Sequence, residues 1–166
     1  MKKYELTSET KMVCGITLHR IRALIDIKRW DVKSGDMGGW IESEANLDQS
    51  GDAWVSDKAM VSGDARVSGE AWVYGEARVF GEARVSKCTH MLTVGRIGSR
   101  NDITTFFRTR SESGFAISVS CGCFYGTVAE FRREVAKTHG DNKHCRVYQL
   151  AADLAEAQIE LDVEAQ

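Results

Sequence analysis

Residues Gly51 to Ser86 read GDAWVS, DKAMVS, GDARVS, GEAWVY, GEARVF, GEARVS: six hexads without a gap. Alanine stands at positions 53, 59, 65, 71, 77 and 83, and valine at 55, 61, 67, 73, 79 and 85. A period of six suits neither a helix nor a plain hairpin meander. Within each hexad the small and aliphatic residues alternate with charged or bulky ones, the period of two that marks a strand with one buried face. The Gly-Asp/Glu pair that opens most hexads offers a turn, because glycine tolerates positive φ. Short strands joined by regular corners build a solenoid whose turns stack on one another. Two weaker hexads, residues 39–44 and 45–50, keep the same phase.

Composition agrees with a chain of stacked strands. The 166 residues contain 15 glycines and no proline, where average usage gives about eight prolines. Five of those glycines stand at 51, 63, 69, 75 and 81, at the corners. Proline there would remove ladder donors from successive turns. A net charge of −2 argues against generic nucleic-acid binding. No apolar run approaches a membrane span, and the start MKKYELTSE lacks the apolar core of a signal peptide. Five cysteines without a tight framework fit a reducing compartment.

The repeat resembles the hexapeptide-repeat family, with Val67-Ser68-Gly69-Glu70-Ala71 carrying its pattern. The resemblance implies a short left-handed parallel β-helix with three hexads, or 18 residues, per coil. Trp54 then lies beneath Trp72 with His90 next in line, Met60 beneath Arg78, Ser62 beneath Phe80, and Arg66 beneath Arg84. The Trp54/Trp72 pair reads either as outward stacking that shields the sheet or as a platform for a base or partner loop. Asp64 and Glu82 flank the two arginines of the Arg66/Arg84 pair, which suits a solvated, self-neutralising face.

Flanking segments complete a mainly β fold with an α+β C-terminal part. Residues 1–38 read as an N-terminal β-hairpin cap, 39–87 as the repeat, and 88–166 as a βββαα domain. In the last of these, Met91 to Val94, Ile103 to Thr109 and Phe115 to Ser120 are strands. Thr127 and Glu130 form a capping box opening a helix over 128–138 that stops near Gly140. Asp141 or Asn142 caps a second helix reaching about Leu161, with Val147, Leu150, Leu154 and Leu161 on one face. Residues 87–148 hold ten Lys/Arg against five Asp/Glu, which predicts a basic patch around Arg108, Arg110, Arg132, Arg133, Lys137 and Arg146.

Candidate chemistry is sparse. Cys121, Cys123, His139 and Cys145, with His144 nearby, have ligand types suited to zinc, although two buried cysteines on one strand face give the same pattern. No nucleophile–base pair, P-loop or paired-carboxylate motif appears, so no catalytic residue or cofactor is expected. An acyltransferase-like activity would rest on fold analogy alone.

The segments Tyr4-Glu5-Leu6-Thr7, Leu18 to Leu24, Gly35 to Glu42, Ser120 to Thr127 and Thr138-His139-Gly140-Asp141, together with the repeat, resemble small hexapeptide-repeat proteins of phages and prophages. This resemblance implies a phage accessory protein acting in the host cytoplasm, where small non-catalytic proteins often antagonise host defences. The expected partner is a host defence protein or a cyclic or NAD-derived nucleotide signal. For the nucleotide, Trp54 and Trp72 would stack while Arg66, Arg78 and Arg84 meet phosphate. A virion or tail component that trimerises through its β-helix is the structural alternative. Self-association as a trimer or dimer is expected in either case.

Overall fold

The computed structural model describes residues 2–161 and divides into two compact units, residues 1–88 and 89–166. The chain is mainly β, with two helices near its C-terminus.

Unit one begins with β1 (Tyr4–Val13) and β2 (Ile16–Ala23), an antiparallel hairpin. Its two-residue turn, Cys14-Gly15, has positive φ at both positions, the geometry that follows the natural twist of paired strands. β3 (Met37–Ile41) pairs antiparallel with β2. Six two-residue strands follow, one per hexad: β4 (Trp54–Val55), β5 (Met60–Val61), β6 (Arg66–Val67), β7 (Trp72–Val73), β8 (Arg78–Val79) and β9 (Arg84–Val85). They form parallel pairs β4–β7, β5–β8 and β6–β9, with Trp54 opposite Trp72, Met60 opposite Arg78 and Arg66 opposite Arg84. The chain therefore returns to the same ladder every 18 residues. Every repeat alanine and valine is buried.

The corners explain the glycines. Gly51, Gly63, Gly69, Gly75 and Gly81 all sit near φ +60°, and Asp57 fills the same role at φ +56° in the one repeat hexad without a leading glycine. Aspartate tolerates this region because its short side chain bonds locally. Here the Asp57 carboxylate also reaches the next turn of the repeat, accepting the N–H of Gly75 at 3.1 Å. Stacking adds a second demand at Gly69, where a Cβ would stand 2.6 Å from the Ser86 carbonyl oxygen.

The weaker hexads leave the expected phase. Trp40 pairs with Met60 and Leu47 with Val67, an offset of 20, whereas Trp54 and Trp72 are 18 apart. Asp48 N–H donates to Val67 O and Asp52 N–H to Gly69 O, which locates the two additional residues between Asp48 and Asp52. There Gln49 grips the start of β1: its Oε1 accepts from the N–H groups of Lys3 and Tyr4, and its Nε2 donates to Tyr4 O.

A first turn would leave carbonyls unpaired along its lower edge. Side-chain donors satisfy them. Lys3 Nζ donates to Ser50 O, Gly51 O and Ala53 O, Asn46 Nδ2 to Gly63 O and Ala65 O at 2.9 Å each, and Trp30 Nε1 to Asp52 O. On the third ladder β3 itself covers β5, so the sheet runs β1-β2-β3-β5-β8 and stays open at β1 and β8.

Unit two is an antiparallel meander of β10 (Met91–Ile97), β11 (Asp102–Ser111), β12 (Gly114–Cys121) and β13 (Phe124–Thr127), followed by α1 (Val128–His139) and α2 (Lys143–Gln158). β13 is one strand more than the sequence suggested. Cys121 pairs with Phe124, leaving Gly122-Cys123 as a two-residue turn with only Gly122 at positive φ. A glycine first in such a turn is the type II′ signature. Both arms of the Thr127–Glu130 capping box are formed, and Asn142 caps α2 by accepting from the N–H groups of His144 and Cys145.

The buried face of α2 differs from expectation. Cys145, Tyr148, Ala151, Ala152 and Ala155 face the core with Phe106, Val119 and Phe131. Leu150, Leu154 and Leu161 are exposed and Val147 is half-buried. Small side chains let the helix sit close to its neighbours, so size overrode hydrophobicity in choosing the face.

Candidate functional site

The Trp54/Trp72 pair has the predicted register but not the predicted exposure. Trp54 is only 1% exposed and is covered by the N-terminal strands. Tyr4 meets it edge-to-face at 6.5 Å, and a Cβ at Gly38 would fall 2.7 Å from its ring. Glycine at 38 is thus what admits the indole. Trp54 cannot serve as half of an exposed platform.

Trp72 forms a different platform. Its ring stacks on Trp30, from the short 3₁₀ turn Lys28–Trp30, at 5.0 Å and 23°, and meets Tyr74 at 4.8 Å. Trp72 Nε1 donates to Ser56 Oγ at 2.9 Å, which fixes the ring plane. Tyr74 is 47% exposed. Arg29 covers Trp30 at 5.2 Å and pairs with Glu70 at 2.8 Å. The three aromatics present a pre-ordered surface with a cation and an anion at its rim. The Trp72 ring already has two aromatic neighbours, which suits a broad contact better than a base slipped between rings.

A second cluster crosses the open sheet. Arg20 faces Trp40, Trp40 faces Met60, and Met60 faces Arg78 across β2, β3, β5 and β8. Lys11 Nζ stands 4.3 Å above the Trp40 ring and Arg20 5.6 Å from it. Burial, reinforced by Arg78 and Arg20, holds the Lys11 ammonium below its ordinary pKa. Glu9 reaches Arg20 at 3.4 Å. Sequence reasoning missed Trp30, Trp40, Tyr74, Lys11 and Arg20. Trp40 and Arg78 come together only through the shifted first turn, and no repeat signal marks Trp30.

The other predicted cations scatter. Arg66 is exposed and lines a groove of about 380 Å³ that also holds Glu44 and Asp48. Arg84 donates to the Asp64 carbonyl, twenty residues back along the repeat, at 2.7 Å and to the adjacent Ala83 carbonyl at 2.8 Å. In unit two the expected basic patch breaks up. Arg108 is 2% exposed, with its guanidinium 4.2 Å from the Phe115 ring centre. Arg132 is engaged by Asp153 and Glu156 at 2.7 Å and by Gln149. Arg110 and Arg133 are exposed.

The zinc set does not assemble. Cys121, Cys123 and His139 line one cleft of about 220 Å³, together with Arg100, Asp102 and Tyr148. Cys145 instead belongs to the helical core, and Cys123 sits in the turn, not on the strand face of Cys121. Among the described residues no three His, Cys, Asp or Glu side chains are grouped to hold a metal. Tyr148 passes over Gly98, where any side chain would block it, and burial first, then the neighbouring Cys121, pushes its phenol up to about 12. Thr104 donates to Cys121 Sγ at 3.2 Å.

Among the described residues no helix is long and apolar enough to cross a membrane. Compared with known families and curated proteins, the chain matches no family model and no curated sequence.

Proposed function

We propose that this chain is a non-catalytic binding protein that blocks a host protein through the Trp30–Trp72–Tyr74 surface. The observation that carries the reading is the aromatic stack itself: rigid, partly exposed and rimmed by Arg29 and Glu70. Tryptophan, tyrosine and arginine dominate binding hot spots because they cover large areas at low entropic cost. In this reading the 18-residue ladders wind as a left-handed β-helix, and the protein is a phage accessory factor that inhibits a defence protein in the host cytoplasm. Pull-down from host lysate tests it: a protein held by the wild type should be lost with Trp72→Ala. Equal recovery by both forms refutes the assignment to this surface.

The Arg20–Trp40–Met60–Arg78 row favours a second reading, sequestration of a nucleotide signal. An indole flanked by Lys11 and two arginines offers stacking beside phosphate-binding groups. Calorimetry against cyclic dinucleotides and NAD-derived nucleotides separates the two. Heat that disappears with Trp40→Ala supports sequestration, and no heat with any of them leaves the protein-blocking reading.

A further inference from the structure

We propose that α2 pairs with α2 of a second copy, antiparallel about a two-fold axis passing near Leu150. Val147, Leu150 and Leu154 follow the i, i+3, i+7 spacing of a helix stripe; Leu150 lies opposite the face that packs into unit two, with Leu154 and the half-buried Val147 beside it. Leu150 is 66% and Leu154 50% exposed, high values for adjacent leucines on an ordered helix. Such a stripe remains wet unless another molecule covers it.

Charge selects the occupant and its direction. The first half of α2 carries Lys143 and Arg146, while Asp153 and Glu156, with Glu160 just beyond, make the other end acidic. Arg146 and Asp153 are seven residues apart, so they fall on the same flank of the leucine stripe. In an antiparallel pair that flank meets its own copy. Arg146 of each chain then faces Asp153 of the other, twice per dimer, with Leu150 near the axis. A parallel pair or trimer would set this flank against the opposite flank of the neighbour's stripe, so Arg146 and Asp153 would not meet. Asp153 Oδ1 already accepts from Arg132, but a carboxylate has lone pairs for a further donor. A two-fold contact is also self-complementary by construction. A single helix pair lies at the small end of specific interfaces, so micromolar association is expected.

Sedimentation of the full chain from about 1 to about 300 μM reads the equilibrium directly, a range set by that weak expectation. Wild type should shift from monomer to dimer. Leu150→Glu should raise the dissociation constant about 100-fold by placing charge in the dry centre. The decisive arm mixes Arg146→Asp with Asp153→Lys. Each variant alone repels its own copy, whereas the mixture restores both cross-pairs and should form heterodimers near wild-type strength. Circular dichroism on each variant confirms that the exposed substitutions leave the fold intact. Three results overturn the proposal: a wild type monomeric throughout, an oligomer indifferent to Leu150→Glu, or a mixture that stays monomeric.

Discussion

Raising the pH from about 7 to about 9.5 should strengthen the fold of unit one, the opposite of the usual alkaline trend, and Lys3 is the reason. Its side chain is 1% exposed and lies against three carbonyl oxygens at the lower edge of the first turn. Burial brings its pKa from an ordinary 10.5 down to about 8, against the opposing pull of Asp48 and Asp52. Between those values the unfolded chain holds the proton and the folded chain does not. Stability therefore climbs with pH across the interval, and linkage over most of it amounts to about 2 kcal/mol. Tyr4, packed beside Lys3 in sequence, sets the upper limit. Burial and then Glu44 and Asp48 raise its phenol above the ordinary 10, so the folded state keeps a proton that the unfolded state loses, and stability falls again above about pH 10. Urea titrations at several pH values, on wild type and Lys3→Met, isolate the effect. The wild-type free energy should rise relative to the variant's by about 2 kcal/mol between about pH 7 and 9.5. A flat or falling difference would refute the buried-ammonium argument.

Three substitutions test other parts of the architecture. Asn46→Ala strips the donors from the buried carbonyls of Gly63 and Ala65 and should cost about 2–3 kcal/mol in urea unfolding. Gly38→Ala drives a methyl to within 2.7 Å of the Val55 oxygen and the Trp54 ring, so melting should fall by the equivalent of about 2 kcal/mol or more, with altered Trp fluorescence. Thr127→Ala removes the cap of α1 and should lower unit-two stability by about 1 kcal/mol, read by helical circular dichroism.

The repeat was legible because each hexad states its own rule: small and aliphatic residues inside, a left-handed corner between. With the three hexads per coil that the resemblance implies, that rule placed Trp54 opposite Trp72 and Arg66 opposite Arg84. What lay outside the period was hidden. Nothing local to Gln49-Ser50 announces a two-residue shift, since its justification is a set of hydrogen bonds to Lys3 and Tyr4 more than forty positions away. The burial of Trp54 depends on Tyr4 and Gly38, and the exposed aromatic surface on Trp30, all outside the repeat. For α2 the leucines gave the stronger hydrophobic pattern, but Ala151, Ala152 and Ala155 fitted the space available. The alternating pattern also hid that Gly122 makes the Cys121–Cys123 segment a turn and not continuous strand.

Once lysate capture supplies a purified partner, its affinity for wild type and for Trp30→Ala, Trp72→Ala and Tyr74→Ala measures the aromatic surface directly. Each truncation should weaken binding at least about tenfold, as expected of hot-spot aromatics, while Trp40→Ala stays near wild type. Affinities unchanged within about twofold in all three variants would contradict the assignment of binding to this surface.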